Sequence, residues 1–222
     1  MKIGTADVDA AIFDFDGTLA DSMWVWDAVD RQYLSKRNIA YTKEYGEMIA
    51  VLGFEGGADY VVKEFGLDER PEDIIAEWKQ LAWDGYATQV TLKPGAHEYL
   101  RQCKSHGVPL AIATSLQRAL LEPALRNNGV FGMFDTICVC DELGCGGKST
   151  PAVYLEAARR LGVAPERCAV FEDVATAARS AKKAGCYVVG VYDEHKQQAS
   201  DELASITDLF IPDFTSLLEF KR

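Results

Sequence analysis

No stretch of this 222-residue chain approaches the ~20 apolar residues a membrane-spanning helix needs, so no membrane association is expected. The opening segment MKIGTADVDAAIFDFDGT runs straight into a strand-like stretch and lacks a signal-peptide core, which leads to an expected cytoplasmic location. Paired cysteine spacing is missing as well. The six cysteines, Cys103, Cys138, Cys140, Cys145, Cys168 and Cys186, form no CxxC, and free thiols in a reducing compartment are expected. Cys138, Cys140 and Cys145 could also be read as soft-metal ligands, but the first two fall in an apolar, strand-like run. Basic residues are in the minority, 23 against 34 acidic ones, for a net charge of -11. A surface of that sign repels phosphate backbones, which predicts no nucleic-acid partner. Any phosphorylated ligand must then be held by a few local cations, with a metal among them. Histidine is scarce, and His97, His106 and His195 belong to no motif. There is no internal repeat and no low-complexity segment.

What is present is ordinary for a globular chain: 48% hydrophobic and 26% charged residues, enough to bury a core without disulfides. Apolar runs at Val8–Asp16, Val108–Ala113, Phe134–Val139, Cys168–Phe171 and Cys186–Val191 read as strands. Helical patterns at Leu116–Asn127, Pro151–Leu161 and Ala175–Ala184 separate the later ones. This alternation predicts an α/β fold, a doubly wound, mostly parallel sheet built from right-handed βαβ units.

Between the first strand and the rest the pattern is helical, with helices expected at 23–38, 43–52, 57–66 and 71–86. Pro71 followed by Glu72 and Asp73 marks a helix start. All four tryptophans, Trp24, Trp26, Trp78 and Trp83, lie here, and the Gly-rich GFEGGADY of residues 53–60 is expected to join two of the helices. The expected organisation is an α/β core of residues 1–20 and 91–222 with a helical insertion, residues 21–90.

The chemistry concentrates in IFDFDGTLADS, residues 12–22. Strand alternation brings Asp14 and Asp16 out on one side of the strand's end, Gly17 permits a sharp turn, and Thr18 adds a hydroxyl. Two carboxylates aimed together repel unless a cation or shared proton relieves them, which suits Mg²⁺. By average residue usage, D-x-D-G-T occurs by chance in roughly a few chains of this length per thousand, and its place after an apolar strand makes coincidence rarer.

On these residues the sequence resembles the haloacid dehalogenase superfamily, whose first motif is DxDGT after the first strand. The resemblance implies that Asp14 is the nucleophile, forming an aspartyl-phosphate. Asp16 would be the general acid/base, and would also lend its backbone carbonyl to the metal. LAIATS, residues 110–115, resembles the second motif, with Thr114 binding phosphate and Ser115 either doing the same or capping the next helix. GGKSTPAVY, residues 146–154, is similar to the Lys motif, with Lys148 against phosphate and nucleophile. AVFEDVATAA supplies Glu172 and Asp173, which in the resembling subgroup hold Mg²⁺ with Asp14 and Asp16. The usual continuation EDSxxG is altered: Val174 stands for the Ser and Ala177 for the Gly.

The insertion resembles the superfamily's small helical cap. Trp24 and the segment Phe54, Glu55, Gly56 and Gly57 are candidates for substrate selection, with packing inside the cap and an ordinary helix–helix turn as the alternatives. The resemblance implies a Mg²⁺-dependent phosphatase acting as a monomer on a small phosphorylated metabolite of the sugar phosphate or phosphoglycolate type. A β-phosphoglucomutase-like mutase is the rival, weakened because no His precedes His97. A non-catalytic phosphate-binding relative is the third possibility, and retained Asp16 argues against it.

Overall fold

The computed structural model describes residues 1–218, apart from the side chains of residues 47, 50, 51, 53 and 197–199. The chain divides into two compact units, Met1–Ser22 with Val90–Arg222, and Met23–Gln89.

The first unit is organised by a six-stranded sheet: β1 (Ala10–Phe13), β2 (Leu110–Thr114), β3 (Thr136–Val139), β4 (Cys168–Glu172), β5 (Tyr187–Val191) and β6 (Leu209–Ile211). Every pairing is parallel, and the order is β6-β5-β4-β1-β2-β3. Strands such as AAIF and LAIAT are buried along their whole length, as expected of a parallel sheet covered on both faces. The order reverses at β1, which pairs with β2 on one side and β4 on the other. In an open α/β sheet such a reversal leaves a crevice at the strands' carboxyl ends, where ligands bind. Strand β6 was not expected from the sequence, because three residues at a sheet edge are too short for a periodicity to register. Val8–Asp16 yields only the four residues of β1, because Asp14 to Thr18 turn away.

The second unit holds α1 (Trp24–Ser35), α2 (Lys43–Phe65) and α3 (Pro71–Thr88). Helix α2 corrects the sequence reading. Residues 53–60 do not join two helices; one helix of 23 residues runs from the cap of Thr42, whose hydroxyl accepts from Tyr45 N–H at 3.2 Å, to left-handed Gly66. A glycine inside a helix costs about 1 kcal/mol relative to alanine, and that propensity suggested a break. Packing overrides it: a β-carbon on Gly57 would stand 3.3 Å from Ile49 and 3.6 Å from the Trp78 ring, so the missing side chain admits close contact. Phe54, Glu55 and Gly56 therefore sit on a helix rather than in a loop. The Phe54 ring meets Trp26 at 5.5 Å and Trp78 at 6.5 Å between centroids, and these three rings line a cavity of about 420 Å³ inside this unit.

Asp30 is buried on α1 beside that cavity. Burial, then the charge of Asp27, pushes its carboxyl up to about 7, against the opposing hydrogen bond of Tyr45. The sign follows from linkage. Unfolded Asp30 ionises near 3.8, so folding carries no penalty below that pH, and the penalty grows as pH rises towards 7. Asp30→Asn is expected to raise stability at pH 8 by about 2–4 kcal/mol, a gain that vanishes near pH 4. Denaturant melts at the two pH values check it, and an equal effect at both would refute the buried ionisation.

Around the sheet, the first unit adds α4 (Ala96–Ser105), α5 (Arg118–Asn127), the single turn α6 (Cys140–Leu143), α7 (Ala152–Leu161), α8 (Ala175–Lys183) and α9 (Ser200–Ile206). Alternate residues face opposite sides of the sheet. Ile12, Ala111, Val170 and Val188 pack with Tyr154, Ala157, Ala178 and Ala181 of α7 and α8. Phe13 turns the other way and stacks on Phe171 at 4.5 Å, with Tyr99 of α4 and Phe214 closing the cluster. These rings lock β1 to β4 one residue before the carboxylates that follow. Ala20–Asp21 pairs antiparallel with Thr91–Leu92, so the chain leaves and re-enters the core unit side by side.

Candidate active site

Phe13 pairs with Phe171 and with Ile112, so the residues that follow β1, β2 and β4 emerge together where the sheet order reverses. Asp14 follows β1, and its N–H donates to the Phe171 carbonyl at 3.1 Å. The chain then folds sharply, with Ala20 N–H reaching the Phe15 carbonyl at 2.9 Å and Gly17 N–H the Ala20 carbonyl at 3.0 Å. Gly17 takes a positive φ of 75°, and a β-carbon there would fall on Asp173 Oδ2. Glycine is required here for conformation and for space alike.

Three carboxylates converge. One oxygen each from Asp14, Glu172 and Asp173 lies within 4.8 Å of the others, and all three residues are buried. Lys148, in the loop before α7, places its ammonium on Asp14 Oδ1 and, at 2.6 Å, on Glu172 Oε1. Tyr154 of α7 donates to that same Glu172 oxygen at 2.7 Å. Asp173 accepts from Thr18 Oγ1 at 3.0 Å and from Lys196 Nζ at 2.5 Å. Burial, followed by the charge of Asp14, pushes both Glu172 and Asp173 up from the ordinary carboxylate range, with Lys148 and Lys196 opposing. The two lysines are held cationic by the carboxylates they touch.

The remaining expected residues fall as follows. Asp16 is half-buried, and its Oδ1 accepts from Ser22 Oγ at 2.6 Å. Thr114 ends β2 in the buried crevice, its hydroxyl accepting from Leu116 N–H at 3.0 Å. Ser115 does not cap α5, whose cap position is Gln117; its hydroxyl lies 3.7 Å from Cys140 Sγ. Trp24, Phe54, Glu55 and Gly56 belong to the other unit and stand on α1 and α2. Sequence reasoning missed Lys93, Asp193 and Lys196. Lys93 donates to Asp193 at 2.9 Å in a buried ion pair, and Asp193 Oδ2 would lie 3.3 Å from a β-carbon on Gly17. Tyr154 was visible within the quoted Lys motif, but its role on Glu172 was not.

The donor set suits a hard divalent cation. Its oxygens are carboxylate, three of them cluster, and Glu172 Oε2 is buried with no hydrogen-bond partner. A buried acceptor left in that state is costly unless something else satisfies it.

A parallel sheet with these carboxylates and a lysine at its switch point is an α/β fold with its polar groups gathered where such sheets bind ligands. The family model for haloacid dehalogenase-like hydrolases matches residues 8–185, and the chain belongs to that family. It is 30% identical over 213 residues to the validoxylamine A 7'-phosphate phosphatase of Streptomyces hygroscopicus subsp. limoneus, covering 93% of this chain and 94% of the relative. It is also 30% identical to the bifunctional riboflavin kinase/FMN phosphatase of Arabidopsis thaliana. That match takes in 89% of this chain but only 53% of the relative, so the chain spans about half of that protein. Among solved structures, the HAD family hydrolase of Deinococcus radiodurans R1, determined with bound phosphate and sodium, superposes with a TM-score of 0.72. The two are 26% identical, and the match covers 96% of this chain and 94% of that one. No helix among the described residues is long and apolar enough to cross a membrane.

Proposed function

We propose that this hydrolase cleaves a small phosphomonoester, of the sugar phosphate or phosphoglycolate type, by way of an aspartyl-phosphate on Asp14. The observation that carries the reading is the contact of Lys148 with both Asp14 and Glu172 at the switch point of the sheet. A carboxylate attacks a phosphate ester poorly because both are anionic; an ammonium held between them removes the repulsion and keeps the nucleophile in place. Asp14 forms the new O–P bond as the P–O bond to the leaving alcohol breaks. Asp16 gives that alcohol its proton, then takes one from the water that attacks the aspartyl-phosphate, releasing inorganic phosphate and free Asp14. Ser22, bonded to Asp16 at 2.6 Å, fixes the direction of that carboxyl. Thr114 and Lys148 hold the phosphoryl oxygens. Asp14, Glu172, Asp173 and the Asp16 carbonyl would hold Mg²⁺, which when bound neutralises charge on the phosphoryl group.

The test is phosphate release from a panel of sugar phosphates, phosphoglycolate and nucleoside monophosphates, each with Mg²⁺ and with EDTA. Isomerisation of β-glucose 1-phosphate is followed alongside. Release from one substrate class, silenced by EDTA and restored by Mg²⁺, is the expected result. Isomerisation without release would make the chain a mutase, and chelator-resistant turnover would remove the metal from the scheme. No turnover on any ester would leave a binding protein.

A further inference from the structure

We infer that Lys196 is a built-in competitor for the divalent cation at Asp173, occupying that carboxylate until the ion displaces it. The inference rests on the metal position proposed above and concerns a residue outside the four motifs. Lys196 Nζ lies 2.5 Å from Asp173 Oδ2, while Thr18 takes Oδ1, so both oxygens of this fully enclosed carboxylate are engaged. Oδ2 is also the atom a β-carbon on Gly17 would strike, so it points at the turn carrying Asp14 and Asp16. An ammonium and a divalent ion cannot share one carboxylate oxygen closely, because their charges repel across a buried, weakly screened gap.

The lysine also has a place to go. It stands at a kink in the segment Glu194–Ala199, its own backbone non-helical at φ -119° and ψ 24°, and that segment begins beside Asp193. Asp193 is pinned by Lys93 and by His195 N–H, each at 2.9 Å. Its Oδ2 flanks Gly17 on the same side as Asp173 Oδ2, so a second buried carboxylate stands next to the first. Ion binding at Asp173 would transfer the ammonium towards Asp193 or solvent, coupling metal occupancy to the order of this stretch. By reciprocity, whatever the ion does to Lys196, Lys196 does to the affinity of the ion.

The experiment is a calorimetric titration of the full chain with Mg²⁺, comparing wild type with Lys196→Gln and Lys196→Arg. Removing the competing charge is expected to tighten Mg²⁺ binding by roughly tenfold, a mid-range coupling between two ligands. Lys196→Arg keeps the charge and stays near wild type. Without metal Lys196→Gln melts lower than wild type, and saturating Mg²⁺ closes the gap. Binding by Lys196→Gln no tighter than wild type, or binding by Lys196→Arg tightened as much as by Lys196→Gln, overturns the inference while leaving the metal site standing. Absence of Mg²⁺ binding in wild type and variants alike would bring down the metal site and this inference together. Wild type supplies a check free of mutation: amide exchange across Asp193–Lys196 should quicken on adding Mg²⁺, and exchange unchanged or slowed counts against displacement.

Discussion

Asp14→Asn is expected to cost about 10⁴-fold or more in phosphate release while leaving the fold at least as stable as wild type. The two halves of this result have separate causes. An amide has nearly the carboxylate's shape, so the contact with Lys148 and the Asp14 N–H bond to Phe171 are kept or closely replaced. It cannot form the acyl phosphate, so the proposed first step is lost outright. The stability half comes from charge. Asp14 is the largest electrostatic contribution raising Glu172 and Asp173, second only to burial for each. Neutralising it relaxes that crowding, and without Mg²⁺ the variant should melt at or above the wild-type temperature. Phosphate release and thermal melts on the same preparation check both. Turnover near wild type would sink the nucleophile assignment, and a dead variant that melts several degrees lower would mean Asp14 serves the fold first.

The contiguous part of the site was legible in the sequence because one turn encodes it. Asp14, Asp16, Gly17 and Thr18 follow a single strand, and Gly17 makes the sharp turn expected of it at positive φ, whereas Thr18, expected to bond locally, donates across the sheet to Asp173. Lys148, Glu172 and Asp173 were legible through the order of motifs along a βαβ chain, and the sheet does bring β1 and β4 side by side. Lys93, Asp193 and Lys196 were not, because no spacing links a lysine before α4 to an acid after β5. Their ion pairs exist only once the sheet has closed. The continuous α2 was misread for a different reason. Local propensity counts the glycines of residues 53–60 as breaks, whereas the packed helix uses one of them, Gly57, to approach Trp78. Local rules weigh what a residue costs in isolation and cannot see a contact made with another helix.

Lys148→Met should be the most destructive single change for stability and activity together. Its side chain is one-tenth exposed and its ammonium touches two carboxylates, one of which belongs to the fully buried side chain of Glu172. Methionine keeps much of the apolar stem and removes the charge, leaving the Glu172 carboxylate, among the described residues, with the Tyr154 hydroxyl as its remaining side-chain donor. Breaking a buried pair from one side costs about 3–5 kcal/mol, because the surviving ion is stranded. The pH dependence has a definite sign. Lys148 lowers the Glu172 pKa against burial, so removing it drives that carboxyl further above its unfolded value of 4.5. A carboxyl raised in the folded state is favourable when protonated and loses that advantage as pH rises through the shifted range. Glu172 already stands at about 8 with Lys148 present, so this part of the penalty is absent below that pH and grows as pH rises above it. Adding Glu172→Gln removes the stranded charge, so the double variant recovers most of the lost stability. It does not recover turnover, since the ammonium that joins the nucleophile to the phosphoryl oxygens is gone, a loss of roughly 10²–10³-fold or more. Melts of the single and double variants on either side of pH 8, with phosphate release at pH 7, separate the roles. A penalty independent of pH and untouched by Glu172→Gln would mean that Lys148 holds its loop by packing alone. The electrostatic bond between nucleophile, lysine and metal-side carboxylate would then have to be abandoned.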